Sequence, residues 1–376
     1  MEQRSDQTSL SDHGGGVALA SLHARPQAAE EPAWRGFIAA FATSFAALLI
    51  ATAAFIALTN PFGNLPRSVF SKHAIADGNQ RFQYPSVARD GQFESVLVGT
   101  STSGILNPRA LDAAFGGRFA NLAMDSARAW EQAQVARFFN SQRIGRATLI
   151  IGLDTVWCDE QADQVRTTER GFPLWMYDDA LLNDLPHMLN WKAVDIGIKR
   201  LGIALGVKSP RIGADGYKPF LPDEEKYDLA KVRKSLGHWS PADYLDPAAP
   251  TVGAAQLPSL AWLDDILSLQ WRRAALVFMP VHITAQPTSR SARASVEQQC
   301  KARITEIARQ HNVALIDFRI PSNLTMNDEN YWDHLHYRVP VGERLVKAIA
   351  QALATGQNDP DGTWRALVLP SPNPWR

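Results

Sequence analysis

Between Gly36 and Thr59 the chain reads GFIAAFATSFAALLIATAAFIALT, 24 residues without a charged side chain. No other feature restricts the fold as much. As an α-helix the run would rise about 1.5 Å per residue and extend about 36 Å, enough to cross a ~30 Å hydrocarbon layer. The core helix of a soluble protein rarely runs this far without one charge, and a signal-peptide core is shorter, roughly 7–15 residues. Residues 36–59 are therefore expected to form a transmembrane helix. Arg25 and Arg35 precede the span and Arg67 and Lys72 follow it, so charge bias leaves the orientation open. The polar leader, residues 1–35, is rich in Gly, Ser and Gln and reads as a disordered cytoplasmic tail, with the remainder on the opposite side.

That remainder is apolar enough to build a core: the chain is 45% hydrophobic and 20% charged, which excludes a disordered polymer. Its 38 Lys and Arg balance 38 Asp and Glu, so no bulk basic surface exists to capture nucleic acid. Two cysteines, Cys158 and Cys300, are too few for a disulfide scaffold and match no zinc spacing. Cys300 falls on the apolar face of its helix and reads as a buried thiol; a bridge to Cys158 would need an oxidising compartment. The histidines are scattered, and neither a P-loop nor a dinucleotide fingerprint is present, so no metal and no cofactor are expected.

From Glu94 onward short apolar runs alternate with amphipathic stretches, the pattern of a parallel sheet covered by helices. Strands are expected at Ser95–Val98, Phe119–Leu122, Thr148–Gly152, Ala275–Met279 and Val313–Asp317. Helices are expected from Asn107-Pro108, over Ala127–Ser141, from Pro258, around Val296, Cys300, Ile304 and Ile307, and from Val341, where Val341, Leu345, Ile349 and Leu353 recur every four residues. Together these predict an α/β fold, a three-layer sandwich with a parallel five-stranded sheet, over 94–356. Residues 60–93 read as linker and lead-in, and 357–376 as a C-terminal tail. Residues 159–257 interrupt the rhythm as an aromatic-rich insertion (Trp175, Tyr177, Trp191, Tyr217, Phe220, Tyr227, Trp239, Tyr244). It should project from the carboxyl edge of the sheet, where open α/β folds bind ligands. Most of its aromatics are expected to pack its own small core, the remainder forming a sugar-binding wall.

Two segments carry chemistry. Val96-Leu97-Val98-Gly99-Thr100-Ser101 is an apolar strand running into Gly-x-Ser, which would place Ser101 at the carboxyl end of the first strand. Its own N–H could face a developing oxyanion there. Tyr331-Trp332-Asp333-His334-Leu335-His336 precedes the last helix. A serine hydroxyl needs a base within hydrogen-bond reach, and a carboxylate on the far ring nitrogen fixes that base's tautomer. Asp333 and His336, three residues apart, can both come from one loop; His334 is the rival base. His282, after the fourth strand, is either a substrate contact or a structural histidine.

An early strand-Gly-x-Ser with a late Asp-x-x-His resembles the SGNH (GDSL-like) hydrolase superfamily. Asn121-Leu122-Ala123 after the second strand and Gly152-Leu153-Asp154-Thr155 after the third are similar to its middle blocks. The resemblance covers residues 94–355 apart from the insertion. It implies Ser101 as nucleophile, His336 as general base, Asp333 as the residue orienting it, and Ser101 N–H as one oxyanion donor, with Asn121 a candidate for another. Two departures stand out. The second-block glycine has no counterpart in Met124-Asp125-Ser126-Ala127, and the third-block asparagine is replaced by Asp154. An amide would donate to the oxyanion, whereas an ionised carboxylate would repel it. Asp154 is therefore protonated, or points elsewhere, or other donors serve, or activity has been lost. With its anchor, the layout is similar to the DltD-type and polysaccharide O-acetylation branches, although the Asp-x-His pair that alginate acetyltransferases place before the serine is missing. The resemblance implies acyl transfer to or from a cell-envelope polysaccharide, a multi-pass membrane acyltransferase as partner, and a bacterial inner-membrane protein whose C-terminal domain faces the periplasm.

Overall fold

A computed structural model describes residues 34–65, 75–245 and 253–376. The leader up to residue 33, residues 66–74 of the lead-in and 246–252 of the insertion lie outside the described residues, as do Arg25, Arg67 and Lys72 of the charge count. Contacts divide the chain into two units, Met1–Ala51 and Thr52–Arg376. The apolar run forms one continuous helix, α1 (Trp34–Thr59), whose most apolar stretch has a mean hydropathy of 2.2. Among the described residues it is the one helix long and apolar enough to cross a membrane. It stops at Asn60, which takes a left-handed φ of 44°, and Pro61 cannot continue it.

Five strands, β1 (Ser95–Val98), β2 (Phe119–Asn121), β3 (Thr148–Leu153), β4 (Arg273–Phe278) and β5 (Ala314–Asp317), pair in parallel in the order β2-β1-β3-β4-β5. A sixth, β6 (Arg365–Val368), adds antiparallel to β5. The sheet is thus mixed and six-stranded, which corrects the expectation of a parallel five-stranded one. β6 lies in the stretch read as a tail. Of its four residues only Val368 is buried, and its apolar run Ala366-Leu367-Val368-Leu369 is short and ends at Pro370, too brief to separate a strand from a tail.

The helices are α2 (Gln80–Ala88), α3 (Ser101–Gly104), α4 (Pro108–Phe115), α5 (Ala129–Ser141), α6 (Leu181–Met188), α7 (Trp191–Ala204), α8 (Leu229–Leu236), α9 (Ala242–Leu245), α10 (Ser259–Leu267), α11 (Ala292–Gln310) and α12 (Val339–Thr355). Successive strand side chains point to opposite faces, and each face has its own core. Val96, Val98, Leu149, Ile151, Leu276 and Phe278 meet α5, α10 and α11 in one core. Leu97, Ile150, Ala275, Val277 and Ile316 meet α4 and α12 in the other. In α12 the four-residue spacing of Val341, Leu345, Ile349 and Leu353 is the buried stripe, and each such side chain contributes roughly 2 kcal/mol of apolar burial.

The lead-in is not merely a connection. It holds α2, whose Tyr84, Val87 and Ala88 join the first core. Arg81 of α2 forms a two-bond ion pair with Glu131 of α5, Nε and Nη2 each 2.7 Å from a carboxylate oxygen, with both side chains fully buried. Removing either partner would leave an uncompensated charge inside, at a cost of about 3–5 kcal/mol. Cys158 and Cys300 form a disulfide with Cα atoms 5.6 Å apart. Cys300 is therefore not the buried thiol expected: its face of α11 lies against the segment after β3, which presents Cys158.

Candidate active site

The end of β1 is shaped by its glycines. A Cβ on Gly99 would lie 2.6 Å from Ser103 Cβ, and one on Gly152 of β3 would meet Ser103 Oγ and come within 2.9 Å of Met279 Cγ. Only bare backbone at both positions lets Ser103 fold between β1 and β3. That packing forces the sharp turn from β1 into α3 and leaves Ser101 as the first residue of α3, its N–H ahead of the intrahelical hydrogen-bond ladder. Asn121, at the end of β2, supports the turn from below: its Nδ2 donates to Ser103 O at 3.2 Å and to Leu106 O at 2.8 Å. The amide is 1% exposed and spent on these carbonyls, so Asn121 braces the Ser101 turn and its donors face no cleft.

The second half of the site is a tight loop. Tyr331 and Tyr337 form an antiparallel bridge, and Trp332 N–H donates to His336 O at 2.8 Å. Tyr337 is fully buried and its hydroxyl donates to Thr102 O, tying this loop to the Ser101 turn. His336 Nε2 lies 2.8 Å from Ser101 Oγ, and His336 Nδ1 lies 2.8 Å from Asp333 Oδ2. Asp333 Oδ1 accepts from the N–H groups of Leu335 and His336 at 2.8 and 2.9 Å. Burial by itself would raise the Asp333 pKa, but the hydrogen bonds from the His336 ring and these two N–H groups outweigh it, and the carboxyl sits below its ordinary range. An ionised Asp333 holds a proton on Nδ1 and leaves Nε2 free to accept one from Ser101. His334, the rival base, is turned away, with Nδ1 2.7 Å from Thr284 Oγ1.

His282 is fully buried, with Nδ1 2.9 Å from Thr284 Oγ1 and Nε2 3.2 Å from Asp328 Oδ1. Burial lowers its pKa against the pull of Asp328. Both ring nitrogens are occupied, and His282 N–H donates to His334 O at 3.0 Å. It is a structural histidine holding the loop.

Asp154 follows β3 and does reach the site. Its carboxylate accepts a hydrogen bond from Thr100, the residue before Ser101, and lies 6% exposed. Burial raises its pKa to about 6, against the Thr100 hydrogen bond and the Arg319 charge. Both residues line a cleft of about 370 Å³ beside Ser101, whose walls include Ser126, Arg128, Thr168, Val281, Arg293 and Leu335. That volume suits a small ligand or part of a larger one.

Several insertion aromatics back the base loop instead of lining a sugar site. Phe220 meets the His336 ring edge-on at 5.3 Å, Tyr227 meets Trp332 at 5.2 Å, and Trp239 meets His282 at 5.4 Å. Glu224 accepts from Arg338 Nε at 2.7 Å, and Asp328 accepts from Arg233 Nε at 3.1 Å. The sequence did not reveal Thr100, Glu224 and Asp328, because each depends on a contact across 54 or more residues. No group of three or more His, Cys, Asp or Glu able to hold a metal occurs among the described residues. No protein-family model matches the chain, and no curated protein matches it.

Proposed function

We propose that this protein is a membrane-anchored serine acyltransferase or esterase of the SGNH type, acting on a cell-envelope polysaccharide through an acyl-serine intermediate. The observation that carries the reading is the line Ser101 Oγ, His336 Nε2 and Nδ1, Asp333 Oδ2, with both hydrogen bonds at 2.8 Å. In the first half-reaction Ser101 Oγ attacks the acyl carbonyl and His336 Nε2 takes the hydroxyl proton. The bond to the donor's oxygen breaks, and His336 returns the proton to that leaving oxygen. In the second, a sugar hydroxyl or water gives its proton to His336, attacks the acyl-serine and frees Ser101. Asp333 stays ionised throughout and stabilises the imidazolium. Ser101 N–H supplies an oxyanion donor.

Three further features support the reading. The strand order β2-β1-β3-β4-β5 is that of flavodoxin-like doubly wound sheets, which bind ligands at the carboxyl edge where the order reverses between β1 and β3; Ser101 lies at that edge. Helices on both faces fit a three-layer sandwich. The Cys158–Cys300 disulfide favours an oxidising compartment, hence a periplasmic domain on an inner-membrane anchor, within reach of a multi-pass acyltransferase partner. A second reading, a catalytically inactive scaffold that binds glycan or that acyltransferase, is favoured by Asp154 alone, since a carboxylate at the cleft opposes an oxyanion.

The test is labelling of the full chain in membranes with a serine-reactive fluorophosphonate. Labelling that disappears in Ser101→Ala and falls by roughly three orders of magnitude in rate in His336→Ala is expected. A folded wild-type chain that is not labelled, or one labelled equally well as Ser101→Ala, refutes the serine mechanism.

A further inference from the structure

Helix α7 is apolar on two opposite sides. Ala193, Ile196 and Gly197 face inward and pack with Ile56, Phe62, Ala76, Met176 and Met188 in a third, smaller core. The outward stripe carries Trp191, Ile198, Leu201 and Leu205, spaced by seven, three and four residues and so aligned along one face. Trp191 is 78% exposed, Leu205 69%, and Val207, just past the helix, 74%. Scattered apolar residues on a surface need no explanation, but an aligned stripe that opens with an exposed tryptophan does.

The inner side says what covers the outer one. A Cβ on Gly197 would lie 2.6 Å from Thr59 Oγ1 and 2.8 Å from Phe55, so a glycine is what lets α7 approach the last turns of α1 this closely. α7 is thus fixed at the level where the apolar anchor ends. Lys192 and Lys199 lie beside the stripe half-buried, paired with Asp77 at 3.7 Å and Asp195 at 2.5 Å, and exposed Lys208 follows it. A lysine stem such as that of Lys208 reaches along apolar surface while its ammonium group seeks anionic headgroups. A tryptophan, an aliphatic stripe and flanking lysines are the composition of a helix lying in a membrane interface, its apolar side sunk about 5–10 Å.

We propose that the outward stripe of α7, Trp191, Ile198, Leu201 and Leu205, lies in the lipid interface beside the end of α1 and presses the catalytic unit onto the bilayer surface. The inference rests on α1 crossing that bilayer, as in the function proposed above.

Both native cysteines are in the disulfide, so an introduced cysteine is the single reactive thiol for an environment-sensitive fluorophore. The full chain is reconstituted into phosphatidylethanolamine–phosphatidylglycerol vesicles containing an acyl-chain nitroxide lipid, with labels at Ile198→Cys, Leu205→Cys, Gln310→Cys on the exposed end of α11, and Leu48→Cys within α1. The nitroxide should quench about half or more of the emission at positions 198, 205 and 48 and little at 310, with positions 198 and 205 also shielded from aqueous iodide. Quenching at 48 with none at 198 and 205 overturns the inference and leaves the anchor standing. Absence of quenching at 48 overturns the anchor itself. Shielding from iodide without nitroxide quenching at 198 and 205 identifies a protein cover and also overturns the inference.

Discussion

Asp154→Asn separates the charge at the cleft from its geometry. The asparagine carbonyl still accepts from Thr100, so the nucleophile turn keeps its brace, while the ionisable group is lost. Burial raises the Asp154 pKa from an ordinary 3.8 to about 6. At about 1.4 kcal/mol per tenfold change in proton affinity, ionised Asp154 destabilises the folded chain by roughly 3 kcal/mol. The sign follows from which state holds the proton. Between pH 3.8 and about 6 the folded state binds more protons than the unfolded one, so wild-type stability falls as pH rises through that window. The variant has no such loss. Its unfolding, followed by tryptophan fluorescence of the detergent-solubilised full chain, should match wild type near about pH 4 and exceed it by up to roughly 3 kcal/mol near about pH 7.5. For a unit of this size that amounts to several degrees in Tm. A difference that stays constant with pH would refute the claim that Asp154 holds a desolvated charge. Fluorophosphonate labelling supplies the functional arm. If an ionised Asp154 opposes the oxyanion, the wild-type rate carries a descending limb near pH 6 that Asp154→Asn removes.

Asp333→Asn should leave the fold intact and cut labelling by roughly 10³–10⁴, because a neutral amide no longer fixes the His336 tautomer. Because the Asp333 pKa is depressed, its contribution to stability is present above the unfolded carboxyl pKa and lost as pH falls through the folded one; unfolding of Asp333→Asn in acid should lack that loss. Asn121→Ala strips donors from the buried carbonyls of Ser103 and Leu106, so unfolding should show a loss of roughly 3 kcal/mol and a slower labelling rate with Ser101 and His336 unchanged. Replacing both cysteines by serine opens a cross-link spanning 142 residues and should destabilise the chain by up to about 5 kcal/mol, read as a drop in Tm that a reductant reproduces in wild type.

What the sequence made legible was what local pattern controls. The parallel strands are buried on both faces and read as unbroken apolar runs, and α4 begins at the expected Asn107, whose side chain caps Arg109 N–H at 2.9 Å. That Ser101, Asp333 and His336 come together was readable because two of them share one short loop and the third follows a strand. The tertiary supports were not. By its place at the end of β2, Asn121 is one candidate for a further oxyanion donor, yet its amide is consumed by carbonyls 15 and 18 residues away. His282 became structural only once Asp328 and Thr284 were beside it. β6 escaped because its apolar run, Ala366 to Leu369, is only four residues long and its pairing with β5 is made across about 50 residues. The aromatics of the insertion gave no hint of their destinations: Phe220 and Trp239 turn inward to the base loop while Trp191 faces out.

Ser101 and His336 stand 235 residues apart, and the Cys158–Cys300 bond closes between them. A chain emerging from its N-terminus therefore exposes the serine while the base is still unmade. The turn around Ser103 needs β1, α3, the Asn121 brace of β2, and β3, all early in the chain, so the seat of the proposed nucleophile can form early, and on the proposed mechanism nothing activates it until the β5–α12 segment arrives. On the proposed mechanism that interval keeps a nascent chain chemically inert, and a chain truncated between Ser101 and His336 would keep its serine and be unable to use it.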